Sequence, residues 1–213
     1  MLAMVMGAKE SVGAMLPMLI VGDVFAVLYW HRKADWGIIR RILLPAATGI
    51  VAGWFVLGWI SDPVLKRAIG GIVVGLITLQ VLRDYGIFAD ERVPHHWSFA
   101  WVMGVMAGVV TMLANAAGPI IIIFLLAMKL DRFRFIGTIA WYFFILNAFK
   151  VPFFVNQGMI SGNSLLFNLE IAPVVLAGCW AGIYAPRFIP EKPFRWLIII
   201  LAAVAGVKLL VWG

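Results

Sequence analysis

The sequence predicts an all-α, polytopic membrane protein with about six full transmembrane helices, a broken or re-entrant helical hairpin and an inverted repeat. Hydrophobic residues make up 64% of the 213 residues and charged residues 13%, whereas apolar residues form about half of a soluble protein. Apolar runs of about 20 residues, the length that crosses a bilayer, alternate with short loops. The polar stretch TMLANAAGP interrupts one run at 111–119. We expect a single multi-pass membrane domain in the inner (plasma) membrane.

Eight apolar segments follow one another along the chain. Six are long enough to cross the membrane as complete helices: 11–30, 37–60, 64–83, 135–155, 163–186 and 193–212. The other two, 97–113 and 118–129, flank the polar stretch. The second has about 12 residues, and at a rise of about 1.5 Å per residue it is too short to cross about 30 Å of hydrocarbon. These two segments are therefore expected to be the arms of a hairpin.

A weak internal repeat divides the chain into residues 1–96 and 97–213. A shift of 124 residues aligns Gly13 with Gly137 and Asp23 with Asn147. After a longer loop in the second part, a shift of 129 aligns further pairs, among them Gly49 with Gly178 and Gly53 with Gly182. The order and shared spacing of these matches favour duplication of an ancestral unit.

The charges of the loops predict that the two repeats have opposite orientations. The loop at 31–41 is rich in Lys and Arg and is expected in the cytoplasm, whereas its counterpart at 155–164 has neither and is expected outside. If 97–129 is a hairpin, the two basic loops that come after it, KLDRFR and PRFIPEKPFR, both lie in the cytoplasm. Lys66 and Arg67 count against this topology, since it leaves them outside. An inverted repeat is typical of secondary transporters, whose substrates bind near the midplane where broken helices meet.

The polar stretch predicts an anion site inside the helix bundle. Unpaired backbone groups are costly in lipid, so the break must face protein or a watery cavity. Gly118 allows a turn and a close approach, and Pro119 suits the first turn of the next helix. The free N–H groups and positive dipole end of that helix favour an anion, and Thr111 and Asn115 add donors. A tight turn capped by Asn115 is the simpler interpretation of N-x-x-G-P alone, but its place between two short arms favours binding.

Asp23 and Lys150 are the ionisable residues expected inside the membrane. Such charges cost about 2.5 to 3.5 kcal/mol on insertion scales and usually mark a pathway or pair with one another. Lys150 follows Asn147 by three residues, so both occupy one helix face, and the repeat brings that face towards Asp23. Three interpretations stay open: a role in substrate binding or proton coupling, a structural salt bridge between Asp23 and Lys150, or snorkelling of Lys150 to the outer interface.

Three stretches carry a family resemblance: VGAMLPMLIVGDVFAVLYWHRKADW, GVMAGVVTMLANAAGPIIIIFLLAMKL and FIGTIAWYFFILNAFKVPFF. Through them essentially the whole chain resembles the sulfite exporter TauE/SafE family of prokaryotic membrane transporters. The resemblance implies a carrier of sulfur-containing anions, with two repeats that each open on a Gly-rich hairpin. The family's first hairpin should precede Leu2, so the first repeat is expected to be N-terminally incomplete.

The resemblance also assigns residues to the expected site. It places Asn115, Gly118 and Pro119 in the second hairpin. The helices that follow the hairpins hold the remaining positions: Gly13, Asp23, Gly137, Thr138, Asn147 and Lys150.

The expected function is secondary transport of sulfite or an organosulfonate by alternating access, without enzyme activity, cofactor or metal. The expected substrate-binding residues are Thr111, Asn115, Gly118, Pro119, Asn147 and Lys150, with Asp23 as the coupling site. The expected partners are a small anion and the lipid bilayer, and the Gly-xxx-Gly pairs are compatible with a homo-oligomer. Nucleic acid is not expected, because the Lys and Arg residues lie in loops between spans. A non-transporting scaffold subunit and, with less support, an intramembrane enzyme are the alternatives, the latter lacking a convergent catalytic set.

Overall fold

The computed structural model describes residues 7–84, 97–128 and 130–184, together with Val204, Val207 and Val211. In these ranges the chain is helical, without strands, and the elements are α1 (Ala8–Trp30), a 3-10 helix (His31–Lys33), α2 (Trp36–Trp59), α3 (Asp62–Asp84), α4 (Trp97–Ala114), α5 (Gly118–Ala127), α6 (Arg132–Asn156) and α7 (Gly162–Tyr184). Each predicted segment up to residue 184 is a helix. The segment predicted at 193–212 lies outside the described residues, apart from the three valines.

Five of the described helices are long and apolar enough to cross a membrane: Ala8–Lys33, Trp36–Trp59, Trp97–Ala114, Phe133–Asn156 and Ser164–Ala181. The fold is therefore the all-α, multi-pass membrane fold that the composition predicts. α3 has the length of a span but is less apolar, since its first two turns contain Asp62, Lys66 and Arg67.

Side-chain contacts identify the two ends of the bundle. Arg134 Nη2, near the start of α6, lies 2.7 Å from Asp35 Oδ2, just before α2. The Asp35 N–H donates to Thr138 Oγ1 at 2.9 Å. We call this the Asp35 end. We call the opposite end the Asp62 end. There the Asp62 carboxylate accepts a hydrogen bond from the Ala8 N–H at 3.1 Å, so one of the free N–H groups at the start of α1 has an acceptor.

Two glycines allow α1 and α6 to pack closely in antiparallel directions. A Cβ atom on Gly13 would collide with the backbone of Met159, just after α6. A Cβ atom on Gly137 would collide with the backbone of Lys33 and Ala34, just after α1. Each helix therefore begins beside the loop that ends the other, a reciprocal contact consistent with the predicted repeat.

The arms α4 and α5 form a re-entrant hairpin. Gly104 approaches Pro45 in the first half of α2, and Gly53 approaches Met112 towards the end of α4, so α2 and α4 run parallel from the Asp35 end. α6 starts at the same end, and the chain must return there after α4. α5 has 10 residues, about 15 Å or half of the hydrocarbon thickness. The re-entrant form of the prediction is confirmed, and a through-going broken helix is excluded.

The contact between α2 and α4 depends on small residues. A Cβ atom on Gly49 would meet the carbonyl of Val105, and one on Gly108 would meet the carbonyl of Ala46. Close backbone approach of this kind stabilises helix pairs in membranes, where apolar side chains gain little by leaving lipid. α2 thereby fixes the position of α4 and of the hairpin that α4 begins.

We expect Gly49→Ala to destabilise the protein by about 1–3 kcal/mol, because the added methyl group has no room between α2 and α4. The matched control is Gly75→Ala in α3, where an added Cβ atom meets nothing within 4 Å. The control should be neutral or stabilising by up to about 1 kcal/mol, the usual effect of replacing a helical glycine. Unfolding of the purified variants in detergent measures the difference, and equal stability of the two would contradict the packing described.

Candidate anion-binding site

The tip of the hairpin turns at Asn115. Its φ of 50° lies in the left-handed region, which Asn tolerates better than most residues. The Asn115 N–H still donates to the Thr111 carbonyl at 3.0 Å and so completes the last turn of α4. The sequence assigned this turn to Gly118, but the left-handed residue is Asn115, and Gly118 is the first residue of α5.

The ammonium group of Lys150 is bound to the hairpin tip. Lys150 has 0% exposure, and its Nζ donates to Asn115 Oδ1 at 2.6 Å, to Thr111 Oγ1 at 3.1 Å and to the Thr111 carbonyl at 3.4 Å. Three acceptors match the three N–H donors of the ammonium group. All three acceptors are neutral oxygens, so they satisfy the protons of the ammonium group without cancelling its charge.

Two further contacts belong to this site, one made by Lys150 and one by Asn115. Neither was predicted from the sequence. The ring of Phe154 lies 5.7 Å from Lys150 Nζ, within the range of a cation–π contact. Asn115 Nδ2 donates to the Val12 carbonyl at 2.9 Å, so one amide joins α1, the hairpin and α6. Helical spacing could have identified Phe154, because it follows Lys150 by four residues. A backbone carbonyl such as that of Val12 has no sequence signature.

The start of α5 beside this group has free donors. The Ala117 carbonyl accepts from the Ile121 N–H at 3.1 Å, but a methyl side chain cannot cap a helix. Pro119 has no N–H, and the N–H groups of Gly118 and Ile120 have no acceptor among the described residues. A Cβ atom on Gly118 would meet nothing within 4 Å. Open space therefore adjoins the positive end of α5.

Asp23 and Asn147 form a second polar contact, between α1 and α6. Asn147 Nδ2 donates to Asp23 Oδ2 at 2.6 Å, and the two residues are 124 positions apart in the chain. This separation equals the shift of the predicted repeat. Residues related by a two-fold axis meet one another when they lie beside that axis, so the contact is the one that the repeat predicts.

The geometry excludes two of the three interpretations left open for the intramembrane charges. In the part of the chain that the structure describes, the direct ion pair joins Arg134 to Asp35, and Asp23 and Lys150 do not form one. The complete burial of Lys150 also excludes snorkelling to an interface. Thr111, Asn115 and Lys150 are brought together beside Gly118 and Pro119, whereas Asn147 binds Asp23 instead.

A shallow groove of about 490 Å³ at the end of α2 has a different character. It is lined by Phe55, Val56, Trp59 and Ile60. This apolar lining suits lipid chains and offers an anion only the indole N–H of Trp59 as a side-chain donor, so the hairpin tip is the better candidate site.

Comparison with known proteins identifies the family. The family model described as "Sulfite exporter TauE/SafE" matches residues 1–209. A UPF0756 membrane protein of Limosilactobacillus reuteri (strain DSM 20016) is 35% identical over 98 residues, which cover 44% of this chain and 61% of that protein. The chain thus spans about three fifths of the length of this curated relative. No solved structure matches the chain.

A double-mutant cycle tests the contact between Asp23 and Asn147. We expect Asn147→Leu to destabilise the protein by about 2 kcal/mol, because it leaves a half-buried carboxylate without its donor. Adding Asp23→Leu should recover part of this loss, since no charge is then left unsatisfied. Unfolding of the two single variants and the double variant in detergent gives the coupling energy, and purely additive effects would show that the pair does not interact.

Proposed function

The chain belongs to the sulfite exporter TauE/SafE family, and we propose that it moves sulfite or an organosulfonate across the cell membrane by alternating access. The family is one of membrane transporters, and this chain is a multi-pass membrane protein. The observation that carries the proposal is the ammonium group of Lys150, buried at the tip of a re-entrant hairpin without a contacting carboxylate from the described part of the chain.

An ammonium group whose direct acceptors are all neutral oxygens favours an anion as the substrate. A buried charge is costly unless a charge of opposite sign accompanies it. An oxyanion in the open space beside Gly118 would supply that charge and accept from the free N–H groups of Gly118 and Ile120. Sulfite and sulfonates each present three oxygens, enough to accept from the helix start and from an ammonium group together. In this proposal Thr111 and Asn115 hold Lys150 while the site is empty.

Alternating access requires that the contacts at the two ends of the bundle open in turn. At the Asp35 end, Asp35 holds Arg134 and Thr138 of α6. At the Asp62 end, Gln157 Nε2 donates to the Trp54 carbonyl at 3.0 Å, close in sequence to the packed Met159. We propose that the contacts of Asp35 and of Gln157 are the gates at the two ends of the bundle. The repeats 1–96 and 97–213 then move against each other.

Asp23 is the proposed coupling site. A carboxylate within a span commonly marks a proton or cation pathway. Asp23 Oδ2 is bonded to Asn147, whose helix also carries Lys150 one turn further on. A proton or cation bound at Asp23 therefore acts on the same segment of α6 that holds the proposed anion site.

A non-transporting membrane subunit is the second candidate, and α7 favours it. The span Ser164–Ala181 is only 6% buried, and a Cβ atom on Gly178 would meet nothing within 4 Å. Its repeat counterpart Gly49 packs tightly on α4. A small-residue face that the described residues leave open suits a partner helix, and under this alternative the purified protein transports no anion.

Uptake of radiolabelled sulfite into proteoliposomes tests the proposal. Lys150→Met keeps the length of the side chain and removes its charge, so we expect sulfite transport to fall about tenfold or more, as for the loss of a hydrogen bond to a charged group. Asn115→Gly keeps the left-handed turn but removes the amide, and a smaller loss is expected. Lys66→Met, at the start of α3, makes the same charge change away from the site and should leave transport unaltered.

Two results of that assay would reject parts of the proposal. Transport by Lys150→Met at the wild-type rate would remove the assigned site. Absence of sulfite and sulfonate uptake by the wild-type protein, with sealed vesicles confirmed by a separate ion gradient, would favour the scaffold.

A further inference from the structure

Tyr142 carries a buried hydroxyl group that has no hydrogen-bond partner among the described residues. The residue is 1% exposed, and its hydroxyl oxygen is buried without a hydrogen-bond partner. Burying a hydroxyl without a partner is unfavourable, and phenylalanine would fill the same space without that penalty. The hydroxyl group therefore needs a partner other than the described residues.

Helical geometry places Tyr142 relative to Lys150. Tyr142, Leu146, Lys150 and Phe154 follow one another at intervals of four residues, and each is no more than 1% exposed. Tyr142 precedes Lys150 by eight residues, which is about 12 Å along α6 towards the Asp35 end. Viewed down α6, it lies about 80° to one side of Lys150, and Asn147 lies about 60° to the other. Three polar side chains thus share one broad face of α6.

The buried core that contains Tyr142 also includes residues of the shorter arm of the hairpin. Tyr142 belongs to the same buried cluster as Ile120 and Phe124 of α5. α5 runs from the hairpin tip back towards the Asp35 end, so it accompanies α6 over the distance between Lys150 and Tyr142. An ion that moved from the tip towards the Asp35 end would pass this part of α6.

We infer that Tyr142 is a second contact for the transported oxyanion, between the hairpin tip and the Asp35 end. The inference rests on the proposed function and extends its substrate-binding residues. A phenol donates a hydrogen bond without adding a fixed charge, so it binds an oxyanion more weakly than the ammonium group of Lys150 does. A pathway needs such a contact, because an ion that is bound too tightly at every point does not leave.

Tyr142→Phe tests this role, with Tyr29→Phe on the exposed side of α1 as the matched control. Tyr29 is 54% exposed. The KM of sulfite uptake into proteoliposomes should rise about tenfold in Tyr142→Phe, as for the loss of a hydrogen bond to a charged group, and stay unchanged in Tyr29→Phe. The Tm of Tyr142→Phe without sulfite should not fall, since the lost hydroxyl has no partner among the described residues. Sulfite should raise the Tm of Tyr142→Phe less than that of Tyr29→Phe.

The other outcomes overturn the inference. An unchanged KM in a protein that transports sulfite rejects Tyr142 as a contact and leaves the proposed function in place. A lower Tm with an equal response of both variants to sulfite identifies a structural water as the partner of the hydroxyl. Absence of uptake by the wild-type protein rejects the proposed function, and this inference with it.

Discussion

The structure around the hairpin depends on one requirement: each of the three N–H groups of a buried ammonium needs a hydrogen-bond acceptor. Lys150 meets it with oxygens of Thr111 and Asn115. Both lie in the last turn of α4 and at the tip of the hairpin, so α6 cannot shift along α4 without breaking these bonds. Asn115 then donates to the Val12 carbonyl, which adds α1 to the same assembly. Three helices are therefore placed by the need to satisfy one side chain in a medium of low dielectric.

The two intramembrane charges are kept apart, although Asp23 on α1 contacts Asn147, which lies one turn of α6 from Lys150. Asp23 is bonded to Asn147, and Lys150 is bonded to the hairpin. A direct pair would cancel both charges and leave nothing to attract an ion. With an amide between them, the carboxylate can still accept a proton or a cation, and the ammonium can still attract an anion. In the proposed carrier, rotation of α6 would alter both sites together, as coupled transport requires.

The sequence predicted the features that depend on length and spacing. The short segment after the polar stretch required a hairpin, because ten to twelve helical residues cannot cross the bilayer. The repeat shift aligned Asp23 with Asn147 and so predicted that the two residues lie near a common axis. The conformation of the turn was not predicted, since Asn and Gly both tolerate the left-handed region and only the local hydrogen bonds select Asn115. The hydrogen bond from Asn115 to the Val12 carbonyl could not be predicted from the sequence either, because every residue has a carbonyl.

The contact between Asp23 and Asn147 has a consequence for the origin of the fold. In a symmetric homodimer of single units, a residue beside the axis faces its own copy, and two carboxylates there would repel each other. In the duplication that the repeat predicts, joining the units in one polypeptide frees the two positions to diverge, so that one keeps the acid while the other becomes its amide. Chemical asymmetry at the axis is thus a property that fusion allows and that identical subunits cannot acquire by mutation.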